Sequence, residues 1–232
     1  MSTLYVVSTP IGNLADITSR ALDILKSVDL IACEDTRTTQ KLCAHFEIKT
    51  PLVSFFQHSA PTKIDWLIAQ LQAGKNIALV SEAGTPCISD PGTILVAAAV
   101  TAGIDVRPIP GASAVLSAAA VSGFPVDRFA FYGFLPRKHG RQKIMQQMIG
   151  EDKTVIFYES PHRIVKTLEE LAALSKDLRV VICRELTKKF EETIRGSVSE
   201  ALDNLKKRKE VLGEIVVVMQ NARKKLILRF AL

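Results

Sequence analysis

The feature that most constrains the fold of this chain is the alternation of short apolar runs and helical segments in its first half. The apolar runs read as buried strands and lie at residues 4–8, 29–33, 51–55, 77–80 and 105–108. The segments between them have the residue spacing of helices. Strands that alternate with helices in this way predict a mainly parallel sheet with helices on both faces.

The loop after the fourth apolar run is a candidate ligand-binding segment. Residues 81–92 read Ser-Glu-Ala-Gly-Thr-Pro-Cys-Ile-Ser-Asp-Pro-Gly, which is longer than the roughly 2–6 residues of most strand-to-helix connections. Ligands of open α/β sheets bind at the carboxyl ends of the strands. We therefore expect this loop to form the floor of a small-molecule pocket, with an ordinary connection as the alternative.

The pattern changes after Gly123-Phe124-Pro125. Strands are predicted at residues 129–134, 154–158, 178–183 and 214–219, and helices at 142–149, 162–174 and 198–207. We expect two α/β lobes, residues 1–118 and 119–220, followed by a short tail at 221–232 with no clear fold of its own. The second lobe is expected to hold a mixed sheet.

Charge is distributed unevenly along the chain. Residues 1–116 contain 8 Lys and Arg against 10 Asp and Glu, whereas residues 117–232 contain 22 against 14. A basic second half suggests contact with a polyanion such as nucleic acid. A solvated basic surface without a partner is the alternative.

Composition excludes several classes of protein. With 47% hydrophobic and 23% charged residues the chain is globular, and its longest apolar stretches, residues 94–104 and 112–121, are shorter than the roughly 18–20 residues that span a bilayer. The amino terminus lacks the pattern of a secretory signal. The four cysteines have neither zinc-ligand nor disulfide spacing, so we expect a reduced, cytoplasmic protein without a metal.

Several strand ends carry charged or polar motifs. Glu34-Asp35-Thr36-Arg37 places two carboxylates and a guanidinium after the second strand, where Arg37 could grip a phosphate or the motif could simply cap a helix. His162 and Arg163 follow the strand at 154–158 and could touch a phosphate or a base, although a lone histidine at a helix start is often structural. Arg137 and Lys138 form a basic loop after an aromatic strand, and cations with aromatics are typical of single-stranded nucleic acid binding. The aromatics alternate like those of a core strand, which favours their burial over base stacking.

Six motifs, taken together and in order, resemble the ribosomal small subunit methyltransferase I family, which belongs to the tetrapyrrole-methylase-like, or class III, methyltransferases. The motifs are Thr9-Pro10-Ile11-Gly12-Asn13-Leu14, Glu34-Asp35-Thr36-Arg37, Ser81-Glu82-Ala83-Gly84-Thr85-Pro86, Ser89-Asp90-Pro91-Gly92, Pro110-Gly111-Ala112-Ser113-Ala114 and Tyr158-Glu159-Ser160-Pro161-His162-Arg163. The resemblance covers about residues 3–219.

This resemblance implies a two-lobed class III methyltransferase fold, S-adenosylmethionine as cofactor and a homodimer. It also implies methyl transfer to the ribose 2′-oxygen of a cytidine in 16S ribosomal RNA, as free RNA or in the small ribosomal subunit. Family members typically continue past the last strand into a small helical domain, where this chain has residues 221–232. Carried over motif by motif, the cofactor-binding residues are Pro10, Gly84, Thr85, Ile88, Asp90, Ser113, Ala114 and Tyr158.

The implied methyl transfer also requires groups that bind the RNA and could include a general base. A sulfonium is an activated methyl donor, so the enzyme mainly aligns the reactants, and a nearby base helps a ribose hydroxyl to lose its proton. The candidate bases are Asp35, Glu82 and Glu159, all at strand ends, and catalysis by positioning alone is the alternative. The candidate RNA-binding residues are Arg37, Arg137, Lys138, His162 and Arg163.

Three other functions are compatible with parts of the sequence. A tetrapyrrole methylase on the same fold would explain the cofactor loop and part of the positive charge. A non-catalytic RNA-binding assembly factor would keep the fold without turnover. An NAD-dependent enzyme is disfavoured, because the loop at residues 9–13 holds one glycine where the dinucleotide fingerprint needs three.

Overall fold

The computed structural model describes residues 2–56 and 61–221, with the backbone alone at residues 61 and 221. It divides the chain into two compact units between Ser113 and Ala114, whereas the sequence analysis put the boundary after residue 118. The predicted tail falls almost entirely at residues 222–232, outside the described residues. Among the described residues, no helix is long and apolar enough to cross a membrane.

The first unit is a parallel five-stranded sheet with four helices. In chain order its elements are β1 (Thr3–Val7), α1 (Ser19–Ser27), β2 (Leu30–Cys33), α2 (Thr36–His45), β3 (Leu52–Ser54), α3 (Pro61–Gln72), β4 (Ile77–Val80), α4 (Gly92–Thr101) and β5 (Asp105–Ile109), with a 3-10 turn at Leu14–Asp16. The strand order is β3-β2-β4-β1-β5, and all four ladders are parallel. The parallel sheet predicted from the alternating pattern is confirmed.

Two apolar clusters cover the two faces of this sheet. Leu25 of α1 and Cys43 of α2 pack with Val7, Ile31 and Val80 in one cluster. In the other, side chains of α3 and α4 pack with strand residues of the opposite register, including Leu4, Ala32 and Leu79. The side chains of the central strands β1, β2 and β4 therefore alternate between two buried layers, which explains why these strands are almost entirely apolar.

The strand order creates a crevice at the carboxyl edge of the sheet. The connections that leave β1 and β2 run towards β3, whereas those that leave β3 and β4 run towards β5. Neighbouring strands whose connections leave in opposite directions open a gap between their loops, and ligands of such folds bind there. The loops after β1, β2 and β4 are therefore where the fold favours a binding site.

The second unit is a mixed five-stranded sheet with four helices. Its elements are α5 (Ala114–Ser122), β6 (Phe129–Phe134), α6 (Arg141–Gly150), β7 (Thr154–Glu159), α7 (Ile164–Leu174), β8 (Leu178–Arg184), β9 (Glu192–Ser197), α8 (Val198–Lys206) and β10 (Ile215–Asn221). The strand order is β6-β7-β10-β8-β9. β6 and β7 are parallel, and the other three ladders are antiparallel, as a mixed sheet requires.

Strand β9 was not predicted from the sequence. Its residues, Glu-Thr-Ile-Arg-Gly-Ser, include one buried apolar side chain, Ile194, and a glycine. The strand lies at the edge of the sheet, where it pairs with β8 alone. Because an edge strand needs little apolar surface, its sequence carries almost none of the apolar signal on which strand prediction depends.

Candidate functional site

Backbone hydrogen bonds tie together the loops that follow β1 and β4. The N–H of Thr9 donates to the carbonyl of Gly84 at 2.9 Å, and the N–H of Gly84 donates to the carbonyl of Thr9 at 3.1 Å. Gly84 has φ +80°, and a Cβ there would lie 3.1 Å from Cγ2 of Ile11. A glycine is therefore required where the two loops meet.

The loop after β5 is held to the same pair of loops. The Thr85 hydroxyl donates to the carbonyl of Ala112 at 3.1 Å, and the Ser8 hydroxyl donates to Thr85 Oγ1 at 3.0 Å. Gly111 lies so close to Ser8 that a Cβ would come within 2.9 Å of Ser8 Cβ. Three strand-end loops thus form one hydrogen-bonded platform at the carboxyl edge of the first sheet.

One polar atom of this platform is buried and lacks a protein partner. Thr9 is 4% exposed, and its Oγ1 makes no hydrogen bond to any residue that the structure describes. Buried hydroxyls in proteins are nearly always hydrogen-bonded. This hydroxyl is therefore a candidate contact for a ligand.

Asp90 organises the end of the 81–92 loop. Its carboxylate accepts the N–H of Cys87 at 2.9 and 3.0 Å and the N–H of Gly92 at 2.8 Å. A Cβ at Gly92 would lie 2.8 Å from Oδ1 of Asp90, so only glycine permits this closure. The sequence analysis placed Asp90 against the cofactor, and the structure gives its carboxylate a role in fixing the loop.

Glu34 is a candidate functional residue that sequence reasoning did not select. It lies directly after β2 and is half-buried. Burial raises the pKa of its carboxyl, and the negative charges of Glu82 and Asp90 raise it further. Glu34 therefore feels the charges of two carboxylates of the loop after β4, and their repulsion favours a proton on Glu34 or a cation bound beside it.

Asp35, the neighbouring candidate base, has the opposite character. Its carboxylate caps α2 by accepting the backbone N–H of Arg37 at 2.7 Å and pairs with the guanidinium of the same residue at 2.7 Å. The hydrogen bonds from Arg37 lower the pKa of Asp35 to about 2. So acidic a carboxyl is a weak proton acceptor at neutral pH, and the geometry favours Glu34 over Asp35.

Arg37 faces solvent at the mouth of a shallow groove in the first unit. Its side chain is 87% exposed. The groove has a volume of about 790 Å³, and its polar lining includes Gln40, Lys49 and Thr50. The exposed Arg37 guanidinium and the Lys49 ammonium line the same groove, which is compatible with the phosphate contact that the sequence analysis expected.

The remaining predicted cofactor residues of the first unit lie on the same loops. Pro10 and Ser113 are half-buried, and Ile88 is 46% exposed. Glu82 is exposed two residues after the end of β4. The fold therefore brings the predicted residues of the first unit to the carboxyl edge of one sheet, with Ala114 beginning the second unit.

Glu159, the third candidate base, is buried in an ion-pair cluster of the second unit. Its side chain is 0% exposed and lies 2.5 Å from Arg163 and 3.6 Å from Arg141. It also accepts hydrogen bonds from the Thr167 hydroxyl at 2.7 Å and from the N–H of Ser160 at 2.8 Å. Both oxygens are thus occupied inside the protein, and we remove Glu159 from the candidate bases.

Arg163 belongs to that cluster and not to an open surface. Besides Glu159, its guanidinium donates to the carbonyl of Leu135 at 3.0 Å. Arg141 donates in the same way to the carbonyl of Pro136 at 3.2 Å. The two arginines fix the start of the basic loop at residues 136–140, so this geometry favours a positioning role for Arg163 over direct RNA contact.

The exposed basic groups lie beside this anchored loop. Arg137, Lys138 and His162 are all exposed, so their side chains are accessible to a ligand. They follow β6 and β7, two neighbouring parallel strands, and so share one edge of the second sheet. This placement suits a surface that contacts a phosphate backbone.

Tyr158, predicted to contact the cofactor, lies near the end of β7. Its ring packs edge-on against Phe131 at 5.1 Å and tilted against Phe134 at 5.3 Å between centroids. Burial raises the pKa of its phenol to about 12, with a further contribution from the charge of Glu214. The hydroxyl is therefore neutral at physiological pH and available as a hydrogen-bond donor.

Comparison with known proteins gives first the class and then the family. Residues 3–202 match the family model described as Tetrapyrrole (Corrin/Porphyrin) Methylases. The structure resembles diphthine synthase, with a TM-score of 0.72 at 18% identity over 94% of this chain and 89% of that one. It also resembles cobalt precorrin-4 methyltransferase, with a TM-score of 0.68 at 18% identity over 93% and 94%. The predicted class III methyltransferase fold is confirmed.

Much more similar sequences bear one shared name. Ribosomal RNA small subunit methyltransferase I of Synechocystis sp. is 50% identical over 87% of this chain and 73% of that protein. The protein of the same name from Thermotoga maritima is 47% identical over 94% and 98%, and that from Bacillus subtilis is 47% identical over 96% and 76%. The chain therefore belongs to the ribosomal RNA small subunit methyltransferase I family, as the six motifs predicted.

Proposed function

We propose that this protein transfers a methyl group from S-adenosylmethionine to the ribose 2′-oxygen of a cytidine in 16S ribosomal RNA. Membership in a family of ribosomal RNA methyltransferases supports the reaction class and the kind of substrate. The observation that carries the chemistry is the crevice with three carboxylates, in which the pKa of Glu34 is raised.

The residues at this edge fit S-adenosylmethionine, which carries a positive sulfonium and a positive ammonium group. Glu34, Glu82 and Asp90 supply negative charge beside the loop platform, and a bound cation would relieve their repulsion. The Thr9 hydroxyl, which has no hydrogen-bond partner among the described residues, supplies a hydrogen-bonding group. When bound, the cofactor supplies a methyl group already activated by the positive charge on sulfur.

Glu34 is our candidate proton acceptor. A base works best when its pKa lies close to the working pH. The pKa of the Glu34 carboxyl is raised, which moves it towards neutral pH. Asp35 is too acidic, and the carboxylate of Asp90 is occupied by its own loop. The Glu34 carboxylate would take the proton that the ribose hydroxyl loses as its oxygen is methylated.

The second unit would hold the RNA. Arg137, Lys138 and His162 present exposed donors on one sheet edge, and Arg37 adds an exposed guanidinium in the first unit. Contacts of this kind position a nucleic acid without reading its sequence. The excess of positive charge in the second half of the chain would strengthen such binding at low salt.

The first experiment is methyl transfer from radiolabelled S-adenosylmethionine to small ribosomal subunits that lack their native modifications, followed by nuclease digestion. We expect the label in 2′-O-methylcytidine. Label on a base, or on another ribose, would contradict the assignment of the acceptor. Transfer to a porphyrinogen but not to RNA would favour the tetrapyrrole alternative, and RNA binding without transfer would favour an assembly factor.

The role of Glu34 is tested by Glu34→Gln, with Asp23→Asn on the exposed face of α1 as a matched loss of one negative charge. A base must be deprotonated, so the transfer rate of the wild type should rise with pH through the raised pKa of Glu34. Glu34→Gln should lose this rise together with roughly 10²–10⁴-fold in rate. An unchanged pH profile in Glu34→Gln would exclude it as the base.

We also propose that two copies associate through the apolar surface of α3 and α4, which pack together. Trp66 is 40%, Ile94 49% and Val100 62% exposed on these helices, and burial of such side chains between two copies would stabilise a dimer. Light scattering should give the mass of a dimer, and Val100→Glu should give a monomer. A monomeric wild type would contradict the proposal.

A further inference from the structure

The loop between β8 and β9, residues 185–191, lies at the same edge of the second sheet as the basic residues after β6 and β7. β8 and β7 each pair antiparallel with β10, and Ile215 of β10 lies opposite both Glu159 and Arg184. β7 and β8 therefore run in the same direction and end at the same edge. The loop has no assigned role in the function proposed above.

Side chains from several elements hold this loop in one conformation. Arg184 donates to the carbonyls of Leu212 at 3.0 Å and Phe190 at 3.2 Å. Lys188 pairs with Glu185 at 2.9 Å and with Glu214 at 3.2 Å. A loop fixed by this many charge-assisted contacts presents its remaining groups in a defined orientation.

The backbone of the loop is also strained. Glu185 has φ 53° and Thr187 has φ 66°. Residues other than glycine rarely adopt this left-handed region, and β-branched residues such as threonine adopt it least of all. In addition, Thr187 Oγ1 is buried without a hydrogen-bond partner among the described residues. Strain of this kind persists only where the surroundings impose it, and it is common at ligand-binding segments.

At the tip of this rigid loop an aromatic ring and an ammonium group face solvent together. Phe190 is 66% exposed, and the Nζ of Lys189 lies 5.6 Å from the centroid of its ring. Lys189 is exposed and forms no salt bridge to any residue in the described ranges. Phe134, 60% exposed at the end of β6, lies on the same sheet edge.

We propose that residues 185–191 form a binding site for unpaired RNA, in which a base stacks on Phe190 and Lys189 contacts a phosphate. Proteins that hold single-stranded nucleic acids combine exposed aromatic faces with cations in this manner. The ammonium beside the ring favours a polyanion over an apolar protein surface. The inference rests on the proposed RNA substrate. It adds a third loop to the RNA contact proposed for the sheet edge that carries Arg137, Lys138 and His162.

The test compares Phe190→Ala with Phe190→Tyr, which retains a ring, and with Leu174→Ala, an equally simple truncation of a side chain that is 41% exposed at the far end of α7. The probe is an unmodified 16S ribosomal RNA fragment, with affinity measured by fluorescence anisotropy. Phe190→Ala should bind roughly 5- to 150-fold more weakly, which corresponds to about 1–3 kcal/mol of stacking. Phe190→Tyr and Leu174→Ala should bind like the wild type.

Two further readouts distinguish direct RNA contact at this loop from a general change in the protein surface. Lys189→Ala should reduce the slope of log affinity against log salt by about 1, and ultraviolet crosslinking should join the RNA to the peptide that contains Phe190. Affinity for S-adenosylmethionine should not change in any of these variants. Unchanged RNA affinity in Phe190→Ala, with a wild type that binds and methylates RNA, would overturn this inference alone.

Other outcomes bear on both proposals. A wild type that neither binds nor methylates the RNA would overturn the proposed function and this site together. A variant that binds the RNA fragment normally but fails to bind assembled small subunits would show that Phe190 contacts a ribosomal protein, which also overturns the RNA site.

Discussion

The buried ion-pair cluster around Glu159 supports a quantitative prediction about stability. The Glu159 side chain is 0% exposed and faces Arg163 at 2.5 Å and Arg141, itself 9% exposed, at 3.6 Å. Replacement by glutamine keeps the size of the side chain but removes a fully buried negative charge from between two guanidiniums. Arg163 loses its counter-charge among the described residues, and Arg141 keeps only the partly exposed Glu170. Loss of one partner from a buried pair costs about 3–5 kcal/mol.

This loss should be visible in urea denaturation of the ligand-free protein followed by far-ultraviolet circular dichroism. With a slope of about 2 kcal/mol per molar urea, Glu159→Gln should lower the unfolding midpoint of the affected transition by roughly 1.5–2.5 M. Hydrogen exchange should locate the loss, because amides of β7 and of its neighbour β10 should exchange faster than in the wild type.

Glu170→Gln is a matched control, because Glu170 pairs with the same Arg141 at 2.8 Å but is 27% exposed. A partly solvated pair contributes little, so this variant should lose less than about 1 kcal/mol. If Glu159→Gln is as stable as Glu170→Gln and nevertheless loses methyl transfer, the structural argument is refuted. Glu159 would then return to the candidate bases.

Three shorter predictions concern other loops. Asp90→Ala removes the acceptor of two backbone N–H groups in its own loop. It should weaken S-adenosylmethionine binding in calorimetry, and an unchanged affinity would contradict the role of this loop in cofactor binding. Gly84→Ala forces a Cβ to 3.1 Å from Ile11 at φ +80°, so it should reduce both cofactor affinity and melting temperature, and a variant with wild-type values would contradict the proposed loop contact. Arg208 lowers the pKa of Glu192 from 4.5 to about 2, so this pair stabilises the fold above pH 4.5 and its contribution is lost as the pH falls towards 2. In Glu192→Gln the free energy of unfolding should therefore fall less steeply with pH in that interval. An unaltered pH dependence of stability would exclude this linkage.

The fold of the first unit could be predicted because its signal is local. A central strand of a parallel sheet is buried on both faces and is therefore apolar along most of its length, and Ile77-Ala78-Leu79-Val80 shows this directly in the sequence. The expected position of the candidate site comes from the same pattern, since loops after parallel strands gather at one edge. Strand β9 escaped prediction because an edge strand needs no such apolar run.

The roles of individual acids could not be predicted, because they depend on partners that are distant in sequence. Glu34 and Asp35 are adjacent in the chain and look equivalent there. In the structure Asp35 turns to its neighbour Arg37, whereas Glu34 faces the charges of Glu82 and Asp90 from another loop. One residue of separation in the chain therefore gives two carboxyls with opposite pKa shifts.

The same dependence on distant partners explains why charge alone does not select the candidate RNA-binding residues. Arg141 and Arg163 look like any other basic residue of the second half, yet both are committed to Glu159 inside the protein. Their contribution is to hold the loop on which Arg137 and Lys138 are exposed. The ribosomal RNA would then meet cations whose positions are set by buried ion pairs, which is the arrangement that preorganises a binding surface before its ligand arrives.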